Sequence, residues 1–179
     1  MKNSVNHVHI KKRKCCKMEE QSEVIAYKAF FKGLTNDFDD FQYEIGKPYT
    51  TKDRLQYLRG GYHMCEQFED CFKFYLATET EVDLTQVRGF GNMISFDAGE
   101  GKYDDSLGFM YICEKMEILK VFTRKEIIEL ALELDELRLK QFLLFYPLTE
   151  EEIEVITDHC INKKYRKLKM YTLPPKRTK

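Results

Sequence analysis

The chain contains no tryptophan and no run of eighteen apolar residues. The second absence excludes a membrane-spanning helix. The basic start, MKNSVNHVHIKKRKCCK, has no apolar segment behind it, so an ordinary secretory signal is not expected. No internal repeat is evident, which argues against a solenoid or propeller. Six cysteines (Cys15, Cys16, Cys65, Cys71, Cys113 and Cys160) are spaced unevenly, unlike a disulfide framework. Reduced thiols in a cytoplasmic protein are the expectation. A complete catalytic constellation is also missing.

What is present is ordinary globular material. The 179 residues are 43% apolar and 33% charged, which fits one domain with tails. Thirteen Phe and eleven Tyr supply enough ring surface for a core. The formal charge of -1 conceals a segregation. Residues 1–20 carry six Lys/Arg against two acids, and residues 159–179 carry eight Lys/Arg and no acid, which leaves -13 on 21–158. Basic ends on an acidic body suit either solvated tails or contact with a polyanion. The acidic body argues against a broad nucleic-acid face on the central domain. The expected layout is a flexible basic arm at 1–22, a single domain at 23–170 and a flexible basic tail at 171–179.

Apolar runs of strand length occur at 24–31 (VIAYKAFF), 41–45 (FQYEI), 55–58 and 62–65 (YHMC), the last entered through Gly60-Gly61. Phe68, Cys71, Phe72 and Tyr75 fall on one helical face, predicting a short central helix at 66–75. Two weaker strands are expected in 82–97, split by Gly89 and Gly91, then a turn or acidic loop at 97–106. Two more follow at 108–113 and 116–122, where Met116, Ile118 and Phe122 alternate against Glu117, Leu119 and Val121. Thr123 with Glu126, and Thr149 with Glu152, form capping boxes. They predict two C-terminal helices, the first with Ile127, Leu130, Ala131, Leu134 and Leu137 on one face and ended by Pro147, the second running into Tyr165. The fold class is therefore α+β, a curved mixed or antiparallel sheet with a short central helix and two C-terminal helices.

Two spaced segments carry a resemblance. Phe41-Gln42-Tyr43-Glu44-Ile45-Gly46-Lys47-Pro48-Tyr49 precedes Gly61-Tyr62-His63-Met64-Cys65-Glu66, with Asp70, Phe72 and Tyr75 beyond. This FQxExGKxY … G(F/Y)HxCE pattern resembles an uncharacterised domain family of bacteriophages and bacteria. Tyr27-Lys28-Ala29-Phe30 resembles the family's start and Met116–Thr123 its closing strand, so the likeness covers about 24–134. It implies no activity. The arrangement also resembles the ADP-ribosyltransferase fold, with a tyrosine-bearing first strand, a glycine-lysine segment and a Gly-Tyr strand before a helix. That resemblance implies an Arg or His in the first strand and a late glutamate. Here the first strand offers Lys28, and Glu114 and Glu117 are the glutamate candidates.

The chemistry-bearing residues are few. His63 and Cys65 are two apart and share one face of a strand. They suit a Cys–His nucleophile pair oriented by Glu44 or Glu66, with Tyr27 as a further catalytic candidate. A structural histidine bonded to backbone or carboxylate is the plainer reading. The H-x-C-x5-C spacing is not a standard metal signature, so no metal is expected, and no cofactor. His7, His9, Cys15 and Cys16 lack the rigid frame that a metal site needs. KKYRKLK at 163–169 places Lys163, Lys164, Arg166 and Lys167 as polyanion contacts on a predicted helix. The expected function is that of a non-enzymatic accessory protein, phage-related by its motif, that binds another macromolecule, a protein partner first. The alternatives are an ADP-ribosyltransferase-like or other Cys/His-using enzyme, and a nucleic-acid-binding protein acting through the basic C-terminal helix.

Overall fold

The computed structural model of the chain describes residues 17–36, 41–56, 59–74, 82–97 and 108–165, with the backbone alone described at 17–21, 96 and 97. It is an α+β fold: strands β1 (Lys17–Phe31), β2 (Pro48–Thr50), β3 (Tyr62–Cys65), β4 (Val82–Asp97) and β5 (Phe109–Val121), then helices α1 (Arg124–Leu132), α2 (Glu136–Phe145) and α3 (Glu150–Asn162), with a 3-10 helix at Phe68–Phe74. Among the described residues no helix is long and apolar enough to cross a membrane.

All strand pairings are antiparallel. The long strands stack in the order β1, β4, β5. The other edge of β5 carries β2 at Pro48↔Glu117 to Thr50↔Lys115 and β3 at Tyr62↔Cys113 to Cys65↔Met110. β3 then meets β1 at Tyr27↔Cys65, so the sheet curls back on itself through β1, β4, β5 and β3. The curl is tight. A Cβ at Gly89 would lie 2.5 Å from Cys113 Sγ and 2.6 Å from Met64 Sδ, so only glycine lets β4 approach β3 and β5 so closely.

Alternation along the strands feeds two cores. Ala26, Phe30, Met64, Val87, Met93, Cys113, Met116 and Ile118 fill the inside of the curl. Ala29, Cys65, Leu84 and Met110 face outward onto Phe68, Phe72 and the helices. There Phe142 stacks on Tyr146 with ring centroids 4.8 Å apart, and Phe72 meets Tyr146 edge-on at 4.9 Å. Glu69, 2% exposed, accepts from Arg138 Nε at 2.5 Å and fastens α2 to the 3-10 helix.

Several boundaries differ from those expected, each for a tertiary reason. β1 begins at Lys17, inside the segment expected to be an arm, because β4 is long enough to pair with it. Residues 1–16 lie outside the described residues. FQYEI makes isolated bridges at Gln42 and Ile45, and the strand in this region is instead Pro48–Thr50. The 55–58 segment forms no strand at its described positions; Gln56 bridges Gly60 across a tight turn. The two weak candidates in 82–97 are one strand, since Gly91 (φ +85°) sits in a bulge rather than a break. The runs at 108–113 and 116–122 likewise merge into β5. The central helix is 3-10 rather than α, and the loop expected at 97–106 falls almost wholly outside the described residues.

Both capping boxes form as read. The first helical stretch, however, is two helices, giving three C-terminal α-helices among the described residues. Asp135 accepts from Leu137 N and Arg138 N at 2.9 Å each and starts a new helix. The break resets the helical phase, which leaves Leu137 at 67% exposure instead of in the core. α3 stops at Asn162, with Lys163 as its C-cap and Lys164 at φ +57°, so the helix predicted through 163–169 is not continuous. Lys163 and Lys164 are exposed, and Arg166 and Lys167 lie outside the described residues.

Candidate functional site

The single pairing at Tyr27↔Cys65 has a consequence for the surface. Beyond it, Lys28–Phe31 of β1 and Gly60–His63 at the start of β3 line a cleft of about 650 Å³. Ligand pockets usually span about 300–1,000 Å³. Phe30, Tyr43, Tyr62 and Phe74 supply apolar surface, and Lys28, Asp53, Arg59 and His63 supply polar groups. Gly61 is what turns the chain into β3: its φ is +89°, and a Cβ there would lie 2.5 Å from Ile112 Cγ2.

His63 is half-buried. Burial, then the nearby Lys28 charge, lower its pKa to about 4, against weaker opposing hydrogen bonds with the backbone of Gly61 and Gln56. The ring is neutral at pH 7. Lys28 donates from Nζ to the His63 carbonyl at 3.0 Å. Burial lowers its pKa, while Cys71 and then Cys65 pull in the opposite direction. Burial also pushes the Cys71 thiol well above its ordinary range, with a hydrogen bond between Cys71 and Cys65 acting in the same sense. Tyr62 is pushed up to about 12, by burial first and by Tyr43, Tyr49 and Asp53 after it, so its phenol stays protonated.

The structure brings His63 and Cys65 into the same cleft. It does not bring their proposed helpers. Tyr27 faces the outer core, with ring centroids 6.1 Å from Phe68 and 6.0 Å from Phe122. Glu44 is exposed and pairs with Lys47. Glu66 is exposed as well. Of the late glutamates, Glu114 accepts from Asn92 N at 3.1 Å beside the Gly91 bulge, and Glu117 pairs with Arg88. The catalytic set that would revive an ADP-ribosyltransferase-like reading is therefore dispersed. Among the described residues no three His, Cys, Asp or Glu side chains gather as a metal site.

In the sequence, Lys28 first stands out as the residue found where the ADP-ribosyltransferase resemblance implies an Arg or His. The pattern carries a stronger signal: in VIAYKAFF, Lys28 shares a strand face with Ala26 and Phe30, both core residues. A lysine in phase with a buried face is unusual and marks a place where the face opens. Arg59 and Asp53 carried no such signal, because a turn brings them to the cleft.

Residues 24–130, more than half of the chain, match the family model described as a domain of unknown function (DUF7666), and the chain belongs to that family. No curated protein and no solved structure matches it.

Proposed function

We propose that this member of the DUF7666 family is a non-enzymatic accessory protein, cytoplasmic and of the phage and bacterial kind its motif resembles, that works by binding, and that its binding site is the cleft between β1 and β3. The observation that carries this reading is the composition of that cleft. Aromatic walls surround a small number of polar groups, a neutral imidazole and a desolvated amine among them. Such a mixture suits recognition of a small molecule, apolar area giving affinity and a few polar groups fixing orientation. Turnover lacks support: the neutral His63 has neither Glu44 nor a late glutamate beside it, and Cys71 is a protonated, buried thiol. A helix tracking phosphates finds less support still, since α3 ends at Asn162.

A fragment screen on the 15N-labelled full chain tests the proposal. Hits are expected to shift the amides of Phe31, Gly61, Tyr62 and His63 together. A screen whose hits cluster elsewhere, or that yields none, would remove the cleft as the binding site.

A further inference from the structure

Lys28 sets the chemistry of whatever the cleft holds. Part of its side chain reaches solvent, yet its amine is desolvated. The amine donates to the His63 carbonyl and lies 5.2 Å from the Phe30 ring centroid. Around it stand His63 and Cys65 from β3 and Cys71 from the 3-10 helix. On β4 its register partner is the neutral Thr85, whose hydroxyl donates to the Lys28 carbonyl at 2.8 Å. Two thiols, an imidazole and a hydroxyl do not balance an ammonium. Among the described residues no carboxylate pairs with it.

A desolvated amine in that position either sheds its proton or acquires a counter-charge. The described residues provide no counter-charge, and the cleft leaves room for one. Arg59 adds a second cation at the same cleft that has no ion-pair partner among the described residues. The opposing Asp53 is exposed and is engaged by the hydroxyl of Thr51 at 3.3 Å.

We infer that the ligand of this cleft is a small organic anion, whose carboxylate or phosphate docks against the Lys28 amine while its apolar body lies on Tyr43 and Tyr62. The inference rests on the cleft being a binding site. The anion completes a pair that the described residues leave half made, and a charge-assisted hydrogen bond in a desolvated site is the strongest contact available there.

The test uses two anions, benzoate and phenyl phosphate, and two neutral counterparts of similar shape, benzamide and benzyl alcohol. Each is titrated into the full chain and followed by amide shifts at Gly61–His63. The anions are expected to bind about tenfold or more tightly than the neutral pair. Lys28→Met keeps the aliphatic stem and removes the charge, so it should bring all four probes to the same weak level. Lys28→Arg should restore the preference for anions. Equal binding of all four to the wild type would overturn the anionic ligand and leave the cleft standing. Unchanged anion binding by Lys28→Met would place the charge contact elsewhere and overturn the role of Lys28. Silence from all four probes would count against both the ligand class and the cleft.

Discussion

His63 should make the stability of this protein depend on pH in a way that one substitution removes. Its imidazole titrates at about 4 in the folded chain against 6.5 when unperturbed, because folding desolvates it and sets it near Lys28. The folded value lies below the unfolded one, so the unfolded chain takes up the extra proton first as pH falls. The stability involved is fully present above pH 6.5, drains away between 6.5 and about 4, and falls no further below that, where both states are charged. Integrated over the whole window this amounts to about 3 kcal/mol, and to about 2.5 kcal/mol between pH 7 and 4.5. Carboxylates also lose stability toward acid; Glu126, held down to about 2 by Lys120 and its capping bonds to Thr123, is one. The comparison must therefore be differential. Urea unfolding followed by far-ultraviolet circular dichroism suits a chain without tryptophan. Between pH 7 and 4.5 the wild type should lose about 2.5 kcal/mol more than His63→Gln. Parallel losses in the two proteins, or an imidazole that titrates near 6.5 by NMR, would refute the reasoning.

Two further predictions concern packing. Gly89→Ala sets two rules against each other. Glycine in a strand costs roughly 0.5–1 kcal/mol relative to alanine, so propensity alone predicts a gain. The added Cβ would meet Cys113 Sγ at 2.5 Å, so overpacking should win and destabilise the fold by about 1–3 kcal/mol, with partial recovery in Gly89→Ala/Met64→Val; a stabilised single variant in thermal unfolding would disprove the tight curl. Arg138→Ala leaves the Glu69 carboxylate buried without its guanidinium and should cost about 3 kcal/mol, and Glu69→Leu in the same chain should recover much of it; a neutral single variant in urea unfolding would show that this pair does not fasten α2.

Local signals were legible because they act over a few residues. The Thr123–Glu126 and Thr149–Glu152 boxes each join a hydroxyl and a carboxylate to backbone donors within one helical turn, so spacing alone reveals them. YHMC was readable as a strand because the glycine turn before it fixes where pairing starts. Asp135 was readable in principle as a cap, but a continuous apolar pattern on both sides of it suggested a single helix. For the site, the residues of the YHMC strand were legible, and Lys28 was legible only as a lysine out of keeping with its apolar run.

The sequence by itself determined the α+β class, the caps that begin α1 and α3, the alternation that divides side chains between two cores, and the pairing of His63 with Cys65 on one strand face. Tertiary structure alone decided that weak strand candidates merge into β4 and β5, since β4 pairs with both β1 and β5 before and after the bulge at Gly91. It also decided that the sheet curls, and that the curl closes at one pairing and parts beyond it. The cleft follows from that parting. The amine that defines its chemistry bonds a carbonyl 35 residues away along the chain. Propensity and periodicity describe what a residue prefers near its own position. The meeting of Lys28 with His63 depends on which strands remain after every long-range pairing has been satisfied, and no local pattern carries that information.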